Sequence, residues 1–154
     1  MNVTIKTISK FSLFDAYDVI VTWMIGLTFL LAGMVHWENP YFFLGSVYAY
    51  KLVDPGFGQM IAISLPLIQL VLAIFLLSRV FIDVAHLGSL FLLICFATIQ
   101  TLAYLQGLDI SCGCFGPEHE MIIGFRTLFF VYSLLFFSLI RNIVCLFYVG
   151  NKTY

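Results

Sequence analysis

Four long apolar runs, separated by short polar segments, dominate the pattern of this sequence. The runs lie at about residues 18–36, 59–78, 86–108 and 122–147, and charged or histidine residues stand near their ends. A helix needs roughly 20 apolar residues to cross the hydrocarbon core of a membrane. The pattern therefore predicts an all-α membrane protein, a four-transmembrane-helix bundle that forms a single domain over residues 1–154.

The polar connection after the first run predicts a short helix at the outer membrane interface. Asn39 and Pro40 form a helix-start signal, because Asn favours the N-cap and Pro the first helical position. The segment Tyr41–Tyr50 that follows is rich in Tyr and Phe, which favour the boundary between lipid and water. We expect an aromatic anchor here; the alternative is a lid or docking surface beside the second outer connection.

Composition agrees with a membrane protein and excludes several other classes. The chain is 62% hydrophobic and 10% charged, whereas soluble domains carry about 25% charged residues. The net charge of −1 provides no basic surface for nucleic acid. No P-loop, GxGxxG or HExxH motif is present. We expect membrane lipid to surround the chain and no nucleic acid to bind it.

The distribution of Lys and Arg predicts the orientation of the bundle. With both termini in the cytoplasm, five such residues lie inside and two outside, which agrees with the positive-inside rule. The inner set is Lys6, Lys10, Arg79, Arg141 and Lys152, and the outer set is Lys51 and Arg126. We therefore expect a multi-pass membrane protein with both termini cytoplasmic and residues 109–120 extracytoplasmic.

Several polar residues fall inside or beside the predicted spans. Arg126 and Arg141 lie about 22 Å apart along the last helix and are expected to anchor opposite interfaces. Asp83 and His86 are expected at the inner boundary. Gln69 is expected to face the bundle interior, because polar groups in lipid hydrogen-bond across helices.

The third and first spans carry the remaining polar and small residues of interest. Gln100 and Thr101, in the outer half of the third span, are also expected to face the bundle interior. Gly26 and Gly33 lie seven residues apart on one face of the first span. Small residues allow helix backbones to approach closely, so this face predicts a close-packing seam.

The second outer connection, DISCGCFGPEHE, carries the candidate chemistry. A disulfide between Cys112 and Cys114 would close a very small, strained ring, which makes the bond easy to reduce. Gly113 allows the tight backbone that this ring requires. His119 is near enough in sequence to assist a thiolate. The pair is poor as a structural crosslink and suited to thiol–disulfide exchange.

Two other interpretations of this connection stay open. Cys112, Cys114 and His119 suit a soft metal such as copper(I) or zinc, although no fourth ligand is evident. The alternative is a loop without chemistry in a non-catalytic subunit that assists assembly, maturation or export of a partner. Cys95 and Cys145 lie too far along their helices to pair with the loop and are expected to be small buried apolar residues.

Three segments resemble the MauE branch of the DoxX-like membrane proteins, the methylamine-utilisation family. They are GMVHWENPYFF with the Tyr-rich segment after it, SLPLIQL in the second span, and LDISCGCFG followed by Arg126. The likeness covers about residues 18–148. Gln69 stands where the family often has Glu.

The resemblance implies a four-helix, redox-associated protein of the bacterial inner (cytoplasmic) membrane, with Cys112 and Cys114 as its redox residues. It implies a role in the maturation of extracytoplasmic proteins, as in methylamine dehydrogenase maturation, beside a thioredoxin-like, MauD-like partner. The chain holds one loop cysteine pair only, so its electrons must pass to or from that external partner or a membrane quinone. The expected activity is thiol–disulfide oxidoreductase activity with a partner protein.

Overall fold

The computed structural model describes residues 2–52, 54–108, 110–112 and 122–150 and is all-helical in these ranges except for one isolated β-bridge. The helices are α1 (Asn2–Glu38), α2 (Pro40–Ala49), α3 (Pro55–Ser78), α4 (Ile82–Leu105) and α5 (Phe125–Gly150).

Four of these helices are long and apolar enough to cross a membrane. The candidate spans are Phe14–Glu38, Pro55–Ser78, Ile82–Leu105 and Phe125–Phe147. They confirm the predicted four-helix bundle, and each boundary lies within four residues of its predicted position. The side chains on the outside of the bundle are large and apolar; Ile63 and Leu87, for example, are more than 60% exposed. Such a belt suits contact with lipid chains.

The short helix α2 confirms the predicted interfacial element. Pro40 occupies its first position, and Asn39 directly precedes it at the N-cap position. The Asn39 side chain, however, makes no capping hydrogen bond. Instead, the Tyr48 hydroxyl donates to the Pro55 carbonyl at 2.9 Å, which ties α2 to the start of α3.

Glycine allows α1 and α3 to pack closely, as the sequence predicts. A Cβ atom on Gly33 would lie 2.9 Å from Leu70 Cγ, and one on Gly26 would lie 3.0 Å from Leu77 Cδ2. Both leucines belong to α3. The core beside this seam includes Ile25, Phe29 and Leu76.

Candidate functional site

The chain leaves α4 through a defined helix stop that positions residues 110–112, at the start of the loop 109–120 that we call the cysteine loop. Gly107 adopts a left-handed conformation with φ of 64°, and its N–H donates to the Tyr104 carbonyl. The Leu108 N–H donates to the Ala103 carbonyl. This pair of bonds is the Schellman arrangement that glycine favours at the C-terminus of a helix. It fixes the direction in which residues 110–112 continue after the end of α4.

A short antiparallel contact then holds the base of the loop. Ser111 and Ile122 form a β-bridge, and the Ile123 N–H donates to the Ile110 carbonyl at 2.9 Å. The start of the loop is thereby joined to the segment that leads into α5.

Cys112 lies buried at this base, in contact with the membrane-spanning bundle. Its side chain is 7% exposed and packs in a small apolar cluster with Ala103 and Ile123. The Gln100 side-chain amide donates a hydrogen bond to the Cys112 sulfur at 3.1 Å. The prediction that Gln100 faces the interior is confirmed. Its contact with sulfur was not predicted, because it depends on how the chain turns at Gly107.

The other residues predicted for this loop, Gly113, Cys114 and His119, lie outside the described residues. Pairing of Cys112 with Cys114 therefore stays a prediction, as does a role for His119. Elsewhere, Cys95 and Cys145 are half-buried rather than buried, and neither forms a disulfide.

Gln69 belongs to a second buried polar group that is made by three helices. The His36 Nδ1–H of α1 donates to Gln69 Oε1 of α3 at 3.1 Å. The His36 ring also stacks on Phe43 of α2, with the ring centroids 3.9 Å apart. His36 and Gln69 are at most 2% exposed. The interior position of Gln69 is confirmed, whereas its partner His36 was missed, since no local pattern relates residues 33 positions apart.

A cavity of about 540 Å³ connects the middle of the bundle with Cys112. Gln69, Gln100 and Cys112 contribute to its wall, and so do residues of α1 and α5. Its volume lies within the range of about 300–1,000 Å³ that is typical of small-molecule sites. The two buried glutamines and the loop cysteine thus line one shared cavity.

The opposite end of the bundle holds a group of ion pairs. Arg141 Nε lies 2.7 Å from Asp18 Oδ1, and Arg141 Nη2 lies 3.0 Å from Asp83 Oδ1. Arg79 pairs with Asp18 at 2.7 Å. These four side chains, which we call the ionic cluster, join all four spanning helices and balance in charge.

The ionic cluster corrects the prediction for Arg141. Arg141 is not an exposed interface anchor, because its side chain is 5% exposed and lies between two carboxylates. His86, one turn into α4, is fully buried, with its Nε2 atom 2.9 Å from the Thr22 hydroxyl; its expected place at the inner boundary stays a prediction. Asp83 does lie at the surface, with a side chain that is 72% exposed. The sequence signal that could have indicated these ion pairs is the presence of charged residues inside apolar runs, since such groups normally pair within the bundle.

Within the described ranges, no group of three or more His, Cys, Asp or Glu residues is arranged to hold a metal ion. The soft-metal interpretation involves Cys114 and His119, which lie outside those ranges, so the question of a site there stays open.

Comparison with known proteins identifies one family. Residues 14–149 match the family described as Methylamine utilisation protein MauE. No curated protein and no solved structure gives a significant match. The matched range begins with the first spanning helix and includes all four spans, the cavity and the cysteine loop. The resemblance inferred from the sequence is therefore confirmed, and the chain belongs to the MauE family of multi-pass membrane proteins.

Proposed function

We propose that this protein is an integral inner-membrane thiol–disulfide redox protein. Cys112 and Cys114 exchange disulfides with a thioredoxin-like partner outside the cytoplasm, and this exchange supports the maturation of extracytoplasmic proteins. Gly113 allows the close pairing of the two cysteines, and His119 assists proton transfer at the loop. The bundle anchors this chemistry in the membrane, with both termini cytoplasmic.

The observation that carries the proposal is the hydrogen bond from Gln100 to the Cys112 sulfur. An amide N–H directed at sulfur favours the thiolate, which is both the attacking and the leaving form in exchange. Gln100 is 1% exposed, and burial strengthens such a bond. A cysteine that served only as a small apolar residue would stay protonated, and a hydrogen-bond donor directed at its sulfur would stabilise it little.

The burial of Cys112 suggests different roles for the two cysteines. A partner protein needs access to the sulfur that it attacks, and Cys112 is 7% exposed. We therefore assign Cys114 as the cysteine that forms the mixed disulfide with the partner. Cys112 is then the leaving group when the partner thiolate attacks the disulfide, and it is the resolving thiol in the reverse direction.

A trapping experiment tests this assignment. When oxidised partner is added to membranes that contain Cys112→Ser, the Cys114 thiolate still attacks the partner disulfide, but no second loop thiol resolves the product, so a mixed disulfide should accumulate. Cys114→Ser should trap little. Cys95→Ser and Cys145→Ser serve as matched controls, because both positions lie in helices, and both should behave as wild type.

The result also separates the redox function from its alternatives. If neither loop variant traps a partner and the double Cys112→Ser/Cys114→Ser protein retains full activity in cells, the protein is a non-catalytic subunit. If anaerobically purified protein carries stoichiometric copper or zinc that the double variant lacks, it is a soft-metal carrier.

A further inference from the structure

The cavity described above lies in the half of the bundle that contains the cysteine loop. Along α4, its lining extends from Leu93 to Gln100, and along α5 from Leu134 to Phe125. Seven to nine residues of helix correspond to about 10–13 Å. The space therefore reaches from the middle of the membrane to the loop, and the Cys112 side chain lines its loop end.

The lining combines flat aromatic walls with a few uncharged polar groups. Five phenylalanines contribute to it: Phe29, Phe96, Phe125, Phe129 and Phe130. Aromatic rings favour stacked or edge-on contact with a planar ligand. Gln69 and Gln100 add two buried carboxamides, and each carboxamide can donate or accept hydrogen bonds.

The position of the aromatic residues indicates how a ligand enters. Phe129 and Phe130 line the cavity, yet they are 66% and 41% exposed within a spanning helix. The cavity therefore opens toward the lipid beside α5. Among the described lining residues, Arg126 alone carries a charge, and it is exposed at the outer end of the helix. These features suit a lipid-soluble, uncharged ligand.

We propose that the cavity binds the ring of a membrane quinone, which oxidises the loop dithiol. This inference rests on the proposed redox function, because it assigns the electron acceptor of Cys112 and Cys114. A quinone has the required shape and solubility, and its two carbonyl oxygens accept hydrogen bonds from amide donors. The quinol product has two hydroxyls, which can donate hydrogen bonds to the oxygen atoms of the same carboxamides.

The redox step balances with the quinone as its only co-reactant. The Cys112 thiolate in the cavity wall attacks the quinone ring and forms a carbon–sulfur bond. The Cys114 thiolate then attacks the Cys112 sulfur, so that the sulfur–sulfur bond forms and the carbon–sulfur bond breaks. Two electrons and the two thiol protons pass to the quinone, which leaves as quinol. The new disulfide then oxidises the thioredoxin-like partner.

A single-turnover assay tests this step. Fully reduced protein in lipid nanodiscs is mixed with decylubiquinone, and quinol formation and thiol loss are both measured. The wild-type protein should yield one quinol for each disulfide formed in the loop. Ser133→Trp fills the cavity from α5 and should slow quinol formation by at least about tenfold. Phe136→Trp is the matched control, because Phe136 lies on the same helix but outside the cavity lining; it should leave the rate unchanged.

A binding measurement keeps the test independent of turnover. An azido-ubiquinone should label peptides that contain residues 93–100 and 125–134, and excess decylubiquinone should prevent this labelling. The Ser133→Trp protein should lose the labelling while it still exchanges disulfides with the partner, which shows that it is folded.

The outcomes distinguish failure of the quinone site from failure of the proposed function. If partner exchange occurs but the quinone neither labels the cavity nor oxidises the thiols, the quinone proposal is wrong and the redox function stands. If labelling is displaced by phospholipid rather than by decylubiquinone, the cavity is a lipid site and the proposal is also wrong. If the cavity binds quinone but the loop cysteines never exchange with a partner, the proposed function fails instead.

Discussion

At the scale of single residues, the hydrogen bond between Gln100 and Cys112 connects the interior of the bundle with the cysteine loop. Gln100 is held in a spanning helix, and the sulfur it contacts lies just beyond the helix stop at Gly107. A loop residue is thereby held by a donor on a more rigid element. Such support from a regular element is how functional groups are usually positioned.

Removal of this donor should make the Cys112 thiol less reactive. In a background where Cys112 is the only cysteine, we expect Gln100→Leu to slow alkylation by iodoacetamide roughly three- to tenfold. A hydrogen bond to a charged group contributes about 1.5–3 kcal/mol, and the lower intrinsic nucleophilicity of a stabilised thiolate offsets about half of that effect. The neighbouring Thr101→Val is the control, because the Thr101 hydroxyl bonds to Ala97 and Tyr132 instead. Equal rates in the two variants would contradict the assigned role of the amide.

Arg141 permits a stability prediction at the same scale. Arg141→Met leaves the Asp18 carboxylate, whose side chain is 10% exposed, with Arg79 as its remaining partner. Loss of one member of a buried ion pair typically lowers stability by about 3–5 kcal/mol, and we expect about 3 kcal/mol in a denaturant titration in detergent. The double variant Asp18→Leu/Arg141→Leu should recover part of this loss, since no unpaired charge stays buried. Arg126→Met, at an exposed position, should change stability by less than about 0.5 kcal/mol. If Arg141→Met lowered stability by an equally small amount, the ionic cluster would contribute little to the stability of the bundle.

The sequence predicted which polar residues face the interior but not which partners they have. Gln69 and Gln100 were expected inside, because a carboxamide in lipid must find a partner. The partners of Arg141 were missed, since Asp18 is 123 residues away along the chain. A long, flexible side chain near a helix end can also extend to the interface, so composition alone could not separate the two arrangements.

At the scale of helices, the packing of α1 on α3 depends on glycine at the contact. Gly33 has Leu70 against it, whereas a Cβ atom on Gly45 of α2 would have no heavy atom within 4 Å. We expect Gly33→Ala to lower the free energy of unfolding by about 1–3 kcal/mol, because the extra methyl group forces the helices apart. Gly45→Ala should stabilise α2 by about 0.5–1 kcal/mol, because alanine loses less backbone entropy in a helix. Thermal melting of both variants in one detergent would check this, and destabilisation of equal size in both would indicate a general intolerance of side chains.

The helices themselves were the part best predicted from sequence. A spanning helix satisfies its backbone hydrogen bonds internally, so local hydropathy alone locates it, and the four predicted spans lie within a few residues of those in the structure. The turn after α4 was predicted less well. Its course depends on the left-handed Gly107 and on the pairing of residues 110–111 with 122–123, which the apolar pattern does not indicate.

At the scale of the whole molecule, the two ends of the bundle differ in chemistry. One end is closed by the ionic cluster, which joins all four spanning helices. The other end holds uncharged polar groups, a cavity and the base of the cysteine loop. Charge pairing at one end and an open, mainly uncharged cavity at the other agree with the proposal that the protein acts on one side of the membrane only.

The proposed orientation makes this asymmetry testable in cells. In a background with Ser at all four cysteine positions, we introduce Gln106→Cys beside the cysteine loop or Val80→Cys in the turn between α3 and α4. Both positions are exposed, and they lie at opposite ends of the bundle. We expect a membrane-impermeant maleimide to label Gln106→Cys in intact spheroplasts and Val80→Cys only after lysis, because the excess of Lys and Arg predicts a cytoplasmic location for the Arg79 end. The reverse labelling would place Cys112 and Cys114 in the cytoplasm, where disulfides are kept reduced, and exchange with an extracytoplasmic partner would then be excluded.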